Sequence, residues 1–112
     1  MELLGKHILS KLKKKNRGNT TLSDAIDRLV SDLESTKVQS DADFRAIRSD
    51  AEKVQKTGFY FLDIHIHRVL LLLDIKDDEA SILWAGTHSE YERIFKNNKN
   101  SIEKWLRNKD LL

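Results

Sequence analysis

Residues 59–75 read FYFLDIHIHRVLLLLDI, and this run sets the terms for the rest of the chain. Aromatic and branched apolar residues dominate it, with no Gly or Pro, so it favours extended backbone. Leu62, Ile64 and Ile66 alternate with Asp63, His65 and His67, the period of a strand with one covered face. Seventeen residues is long for one strand, which predicts a break near residues 63–67 although no turn residue marks it. A second apolar run, ASILWAG at 80–86, follows the polar turn KDDE at 76–79, and the opening MELL supplies a short third piece.

A sheet of this kind needs cover, and the N-terminal third provides it. GKHILSKLKKKN places Ile8 and Leu12 on one side of a basic amphipathic helix. After the turn NRGN, with Gly18 as terminator, TTLSDAIDRLVSDLEST carries Leu22, Ala25, Ile26, Leu29, Val30 and Leu33 at helical spacing. Thr20 or Thr21 is the expected cap of that helix. Residues 37–58 read two ways: a weak helical stripe of Phe44, Ile47, Ala51 and Val54, or an irregular basic segment closed by Gly58. From Thr87 onward the pattern is helical, and Ile102, Trp105 and Leu106 form a last apolar patch.

The predicted fold is therefore α+β. A small antiparallel sheet is built from residues near 2–4, 59–63, 66–75 and 80–86. A helical hairpin near 6–15 and 21–35 packs on one face through Ile8, Leu12, Ile26, Leu29 and Leu33, and a C-terminal helix follows. At 112 residues this is a single domain, 1–112, with 96–112 as a helical extension.

Composition removes several function classes. Without Cys there is no disulfide, thiolate zinc site or thiol nucleophile. The longest apolar run, residues 69–73, is far too short to span a bilayer, and Lys6, Lys11, Lys13, Lys14 and Lys15 interrupt any leader-like segment. A cytoplasmic protein with no membrane partner is the expectation. The formal charge of +2 hides strong segregation. Residues 1–17 set six basic side chains against Glu2 alone, residues 96–112 set five against Glu103 and Asp110, and residues 18–44 sum to −4. Basic ends around an acidic middle suit a polyanion-facing surface beside a separate acidic face.

The densest chemistry lies in WAGTHSEYERIF, residues 84–95. Thr87 and Glu90 fit a capping box, Gly86 permits a sharp turn from strand to helix, and Tyr91 and Ile94 face the core. His88 needs a different account, since a helix start favours the neutral imidazole over its cation. Free amides at the same place attract phosphate, so His88 is a candidate proton donor or acceptor beside a phosphodiester.

GTHSEYERI resembles the G-T-H-x-E-Y segment near the end of HigB-type toxins, in the RelE/ParE superfamily of type II toxin–antitoxin systems. The opening MELLGKHILSKLKKK, a second helix, a loop with SDAEKV and the strand HRVLLLLDI follow in the family's order, so the likeness covers roughly residues 1–95. It implies a ribosome-associated mRNA interferase that works without metal or cofactor. In that chemistry a 2′-oxygen attacks the adjacent phosphate while a base, an acid and cations manage protons and charge. On this likeness Arg68 matches the strand arginine, His88 the motif histidine and Tyr91 the following aromatic, the catalytic candidates. Arg45, Arg48, Lys53 and Lys56 are the RNA-binding candidates, Lys53 and Lys56 through the loop that often carries basic residues. The implied partners are mRNA on the ribosome and a helix-turn-helix antitoxin of the HigA kind. Where the family turn before the strand arginine often holds Gly, this chain has Asp63-Ile64-His65. A gyrase-poisoning toxin like ParE and a non-catalytic binding module are the competing readings.

Two other groupings draw less support. His65 and His67 have a spacing that metals use, but no Cys or carboxylate pair completes a shell, so histidines that are exposed or packed at an edge are expected. Asp74, Asp77, Asp78 and Glu79 lack the spacing of a calcium loop and read as a solvated turn.

Overall fold

A computed structural model describes residues 1–54 and 58–112. Its elements run β1 (Glu2–Leu4), α1 (Lys6–Lys15), α2 (Thr20–Ser35), α3 (Asp41–Ile47), β2 (Glu52–Lys53), β3 (Phe59–Ile64), β4 (His67–Asp74), β5 (Glu79–Thr87), α4 (His88–Phe95) and α5 (Lys99–Asn108). The strands form one sheet in the order β1-β5-β4-β3-β2. Strands β2 to β5 are antiparallel, while β1 adds to β5 in parallel, so the sheet is mixed rather than wholly antiparallel. The α+β architecture with its helical hairpin and C-terminal helix is the one the sequence predicts.

The long run of residues 59–75 breaks where expected, and the means are unusual. Ile64 pairs with His67, leaving a two-residue turn in which His65 takes φ 58° without being Gly. Ile66 therefore sits in the turn, 59% exposed, and drops out of the buried alternation predicted for it. The turn also dissolves the His65/His67 pair: His65 is exposed at the tip and His67 is buried on β4.

Helices α1 and α2 cover one face of the sheet. Leu22, Ile26, Leu29 and Leu33 of α2 and Leu9 and Leu12 of α1 are buried there against Leu62, Ile64, Val69, Leu71 and Leu73. Leu9, not Ile8, is the deep α1 contact, because the helix presents positions 9 and 12, one turn apart, and Ile8 flanks them. The α2 cap also differs from expectation. Asn19, one residue earlier, accepts the Leu22 amide at 3.0 Å, so both threonines lie inside the helix.

The ambiguous stretch resolves into both of its readings in turn. Ser40 caps the short α3, which buries Phe44, and irregular chain then leads to β2. The helical pattern after Thr87 is likewise divided. Lys96 and Asn97 adopt positive φ, Asn98 caps a new helix, and α5 folds back to bury Ile102 and Leu106. These join Phe59, Phe61, Leu70, Tyr91 and Phe95 as a second core on the opposite face. Among the described residues, no helix is long and apolar enough to cross a membrane.

Candidate active site at one end of the sheet

A bulge in β5 decides which side chains reach this second face. Leu70 pairs with Trp84 and Leu71 with Ile82, so Leu83 is an extra residue without a partner on β4. Ala80 and Ile82 before it face the helical hairpin, and so does Ala85. Trp84 is turned to the opposite face, and Gly86 lands directly across from Arg68. Strand β5 passes directly into α4 as expected, but Gly86 does not take positive φ, so the turn does not draw on glycine's left-handed freedom. The value of Gly86 is the missing β-carbon, which would lie 2.6 Å from Trp84 Cζ2 and 3.0 Å from Glu90 Oε1.

Arg68 is the centre of the cluster, only 8% exposed. Its Nε donates to Asp63 Oδ1 at 3.0 Å and one terminal nitrogen donates to Glu52 Oε2 at 3.0 Å. The guanidinium carbon lies 4.7 Å from the Tyr91 ring centre and 5.3 Å from that of Phe61, a stacked cation. Burial pulls its pKa down, but the bonds to Glu52 and Asp63 outweigh that, so the net shift is upward. No carboxylate engages the other terminal nitrogen among the described residues. That leaves an N–H pair able to meet an anion.

Asp63 connects this centre to its neighbours. Its Oδ1 also lies 4.0 Å from His88 Nε2, and its backbone amide donates to Asp50 Oδ2 at 2.8 Å. Arg48 Nη2 donates both to that Asp50 oxygen and to the Asp63 carbonyl, each at 2.8 Å. A continuous polar chain therefore runs Arg48–Asp50–Asp63–Arg68–Glu52 along the end of the sheet.

The opening of α4 supplies the rest. Thr87 Oγ1 accepts the Glu90 amide at 3.1 Å and Glu90 Oε1 accepts the Thr87 amide at 2.9 Å, the full capping box read from the sequence. The Thr87 amide, above all, holds the Glu90 carboxyl below the usual range. His88 projects from this helix start with its side chain 54% exposed. Tyr91 behaves differently. It is 4% exposed, its hydroxyl donates to Asn97 Oδ1 at 3.0 Å, and burial is the main reason its pKa is raised. Its ring is a platform under Arg68, closed to stacking on a base.

Of the candidate residues, Arg68, His88 and Tyr91 therefore come together. Among the basic ones, Arg48 is taken up by Asp32, Asp50 and the Asp63 carbonyl, and Arg45 pairs with Asp41 at 3.2 Å. Lys53 is exposed on β2, and Lys56 lies outside the described residues. His67 points to the opposite face. Burial holds its pKa down, against the nearby Glu90 charge, and its Nδ1 is buried without a hydrogen-bond partner among the described residues.

The sequence did not single out Glu52, Asp63 or Asp50. A signal for Asp63 was present: a two-residue turn at 65–66 puts position 63 opposite 68. A buried arginine also demands carboxylates, and SDAEK offers two of them, Asp50 and Glu52.

No curated protein matches the chain. The sequence model of one family does match, over residues 22–94, and it is described as a RelE-like toxic component of a toxin–antitoxin system. The match takes in all but the first two residues of α2, the whole of β3 to β5 and all but the last residue of α4, so it contains every residue of the cluster around Arg68. This chain belongs to the HigB toxin family: it is a RelE-like toxin of a toxin–antitoxin system, and a cognate antitoxin is its partner.

Proposed function

We propose that this toxin is an endoribonuclease that cuts messenger RNA on the ribosome, without metal. The observation that carries the reading is a buried guanidinium over the Tyr91 ring with one terminal nitrogen free of carboxylates, beside an exposed imidazole at the same sheet end. Glu52 and Asp63 already neutralise Arg68, so a phosphodiester has to compete for it. Glu52, on a two-residue edge strand, is the partner that yields, and Asp63 keeps the guanidinium aimed.

With the phosphate on Arg68, the 2′-oxygen attacks phosphorus and the 5′-oxygen leaves, giving a cyclic phosphate and a 5′-hydroxyl. Arg68 stabilises the charge that builds on the phosphorane oxygens. His88, open to substrate and facing Asp63, moves a proton to or from one of the two reacting oxygens. Tyr91 positions Arg68 and does not touch the RNA. Lys53 and Arg45 lie near Asp41 and Tyr60, and Arg48 serves the architecture. The antitoxin is a helix-turn-helix protein of the HigA kind, acting with the toxin in the cytoplasm.

Mapping new RNA 5′ ends after induction tests this directly. Ends inside translated frames, dependent on active ribosomes, are the expected result. Intact messages together with altered DNA supercoiling would replace the nuclease with a gyrase poison like ParE. Intact messages and unaltered supercoiling would leave a non-catalytic module.

A further inference from the structure

Ion pairing decides which cations remain free to meet a polyanion, and on α1 it divides the helix in two. Lys6 and Lys13 lean towards α2, where they pair with Glu34 and Asp27 at 2.7 Å each. His7, Lys11, Lys14 and Lys15 occupy the other flank, all exposed, and none has a carboxylate partner among the described residues. They line a groove of about 860 Å³ whose far wall is His67, Thr87 and Glu90.

We propose that this groove binds the phosphate backbone of RNA, as a second anchor on the opposite side of the sheet from Arg68. The choice of RNA rests on the nuclease reading, and the placement rests on charge. Three ammonium groups on flexible stems can follow a phosphate chain without a fixed register. Wherever phosphates replace their counterions, affinity is gained in proportion to the cations engaged. Glu90 is the acidic residue on the wall. Its Oε1 already accepts the Thr87 amide and Lys15 acts on its charge, so repulsion is confined to one end. His67 on the far wall is buried, so its imidazole backs the groove and leaves the lysines to meet the phosphates. Thr87, the residue before His88, lines the groove. RNA held along α1 is thereby led round the end of the sheet into the cleft.

The probe is a short single-stranded 2′-O-methyl RNA, which cannot be cut because its 2′-oxygen is blocked. Its affinity is measured over a salt series. Lys11→Gln/Lys14→Gln/Lys15→Gln should weaken binding and flatten the slope of log affinity against log salt by about 2, at roughly 0.7 for each lysine. Lys6→Gln/Lys13→Gln should change it far less. Wild-type affinity and slope in the triple variant would overturn the proposal. So would an acidic peptide that needs the three lysines when RNA does not, which would assign the groove to a protein. Lysine-dependent RNA binding without cleavage on ribosomes would leave the groove standing and remove the nuclease alone. Cleavage with wild-type affinity in the triple variant would do the reverse.

Discussion

The two faces of the sheet use the same strands for opposite ends. Beneath α1 and α2, β3 and β4 present Leu62, Ile64, Val69, Leu71 and Leu73, all buried. On the other face Phe59, Phe61 and Leu70 meet Tyr91, Phe95, Ile102 and Leu106, but at one end the apolar cover stops and Arg68 takes its place. Burying a guanidinium costs several kcal/mol unless opposite charge and hydrogen bonds repay it. Glu52 and Asp63 supply both, and Tyr91 and Phe61 flank the cation with their rings. One face is thus optimised for burial alone, while the other gives up burial at its open end to hold a poised charge.

If that division is right, variants on the two faces should fail in different ways. The largest effect belongs to His88→Ala. Cleavage of ribosome-bound message should fall roughly 10² to 10⁴-fold, the scale of one acid–base group, with the melting temperature nearly unchanged. Its side chain is 54% exposed, so little packing is lost. Arg68→Gln follows, with a loss on the order of 10² to 10³-fold. Here stability should drop too, because Glu52 and Asp63 are left facing each other without their cation. Normal cleavage by both variants would remove any functional distinction between the faces.

Leu71→Ala probes the other side. Leu71 is fully buried under the helical hairpin, so truncation should cost about 2–5 kcal/mol by denaturant titration. Cleavage per folded molecule should stay close to wild type. A rate loss comparable to that of His88→Ala would mean that the hairpin core sets the geometry of the cleft.

How much of this was legible beforehand follows the physics of each signal. The α2 stripe, the capping box and the broken run at 59–75 were readable because periodicity and local hydrogen bonding are written in neighbouring residues. What escaped depends on tertiary geometry. The β5 bulge at Leu83 reverses the faces of Trp84 and Gly86, and no residue type announces it. Lys96 and Asn97 split the last helix through left-handed backbone that neither requires by composition. The site was half legible. His88 was readable from its place at a helix start, Arg68 and Tyr91 came from resemblance, and Glu52 and Asp63 appear only when a buried arginine is asked for its partners. The basic residues were hardest, since charge shows in a sequence and ion pairing does not. Arg48 is absorbed by Asp32 and Asp50, whereas the flank of Lys11, Lys14 and Lys15 stays open.

The smallest effect separates the two roles of the stretch from 84 to 95. Thr87 stands where the faces meet, paired with buried His67 across β4 and capping the helix that carries His88. Thr87→Ala removes the Oγ1 acceptor for the Glu90 amide, which should cost about 1 kcal/mol, read as a lower denaturant midpoint at unchanged slope. The reciprocal bond from the Thr87 amide to Glu90 survives the change, because it uses backbone. So does the β4 pairing, and the helix start should keep its place. Cleavage should therefore fall far less than in His88→Ala, and Thr87→Ser should restore the midpoint. If Thr87→Ala instead loses as much rate as His88→Ala while remaining folded, the cap is what aims the imidazole. The boundary between packing and chemistry would then run through Thr87 rather than beside it.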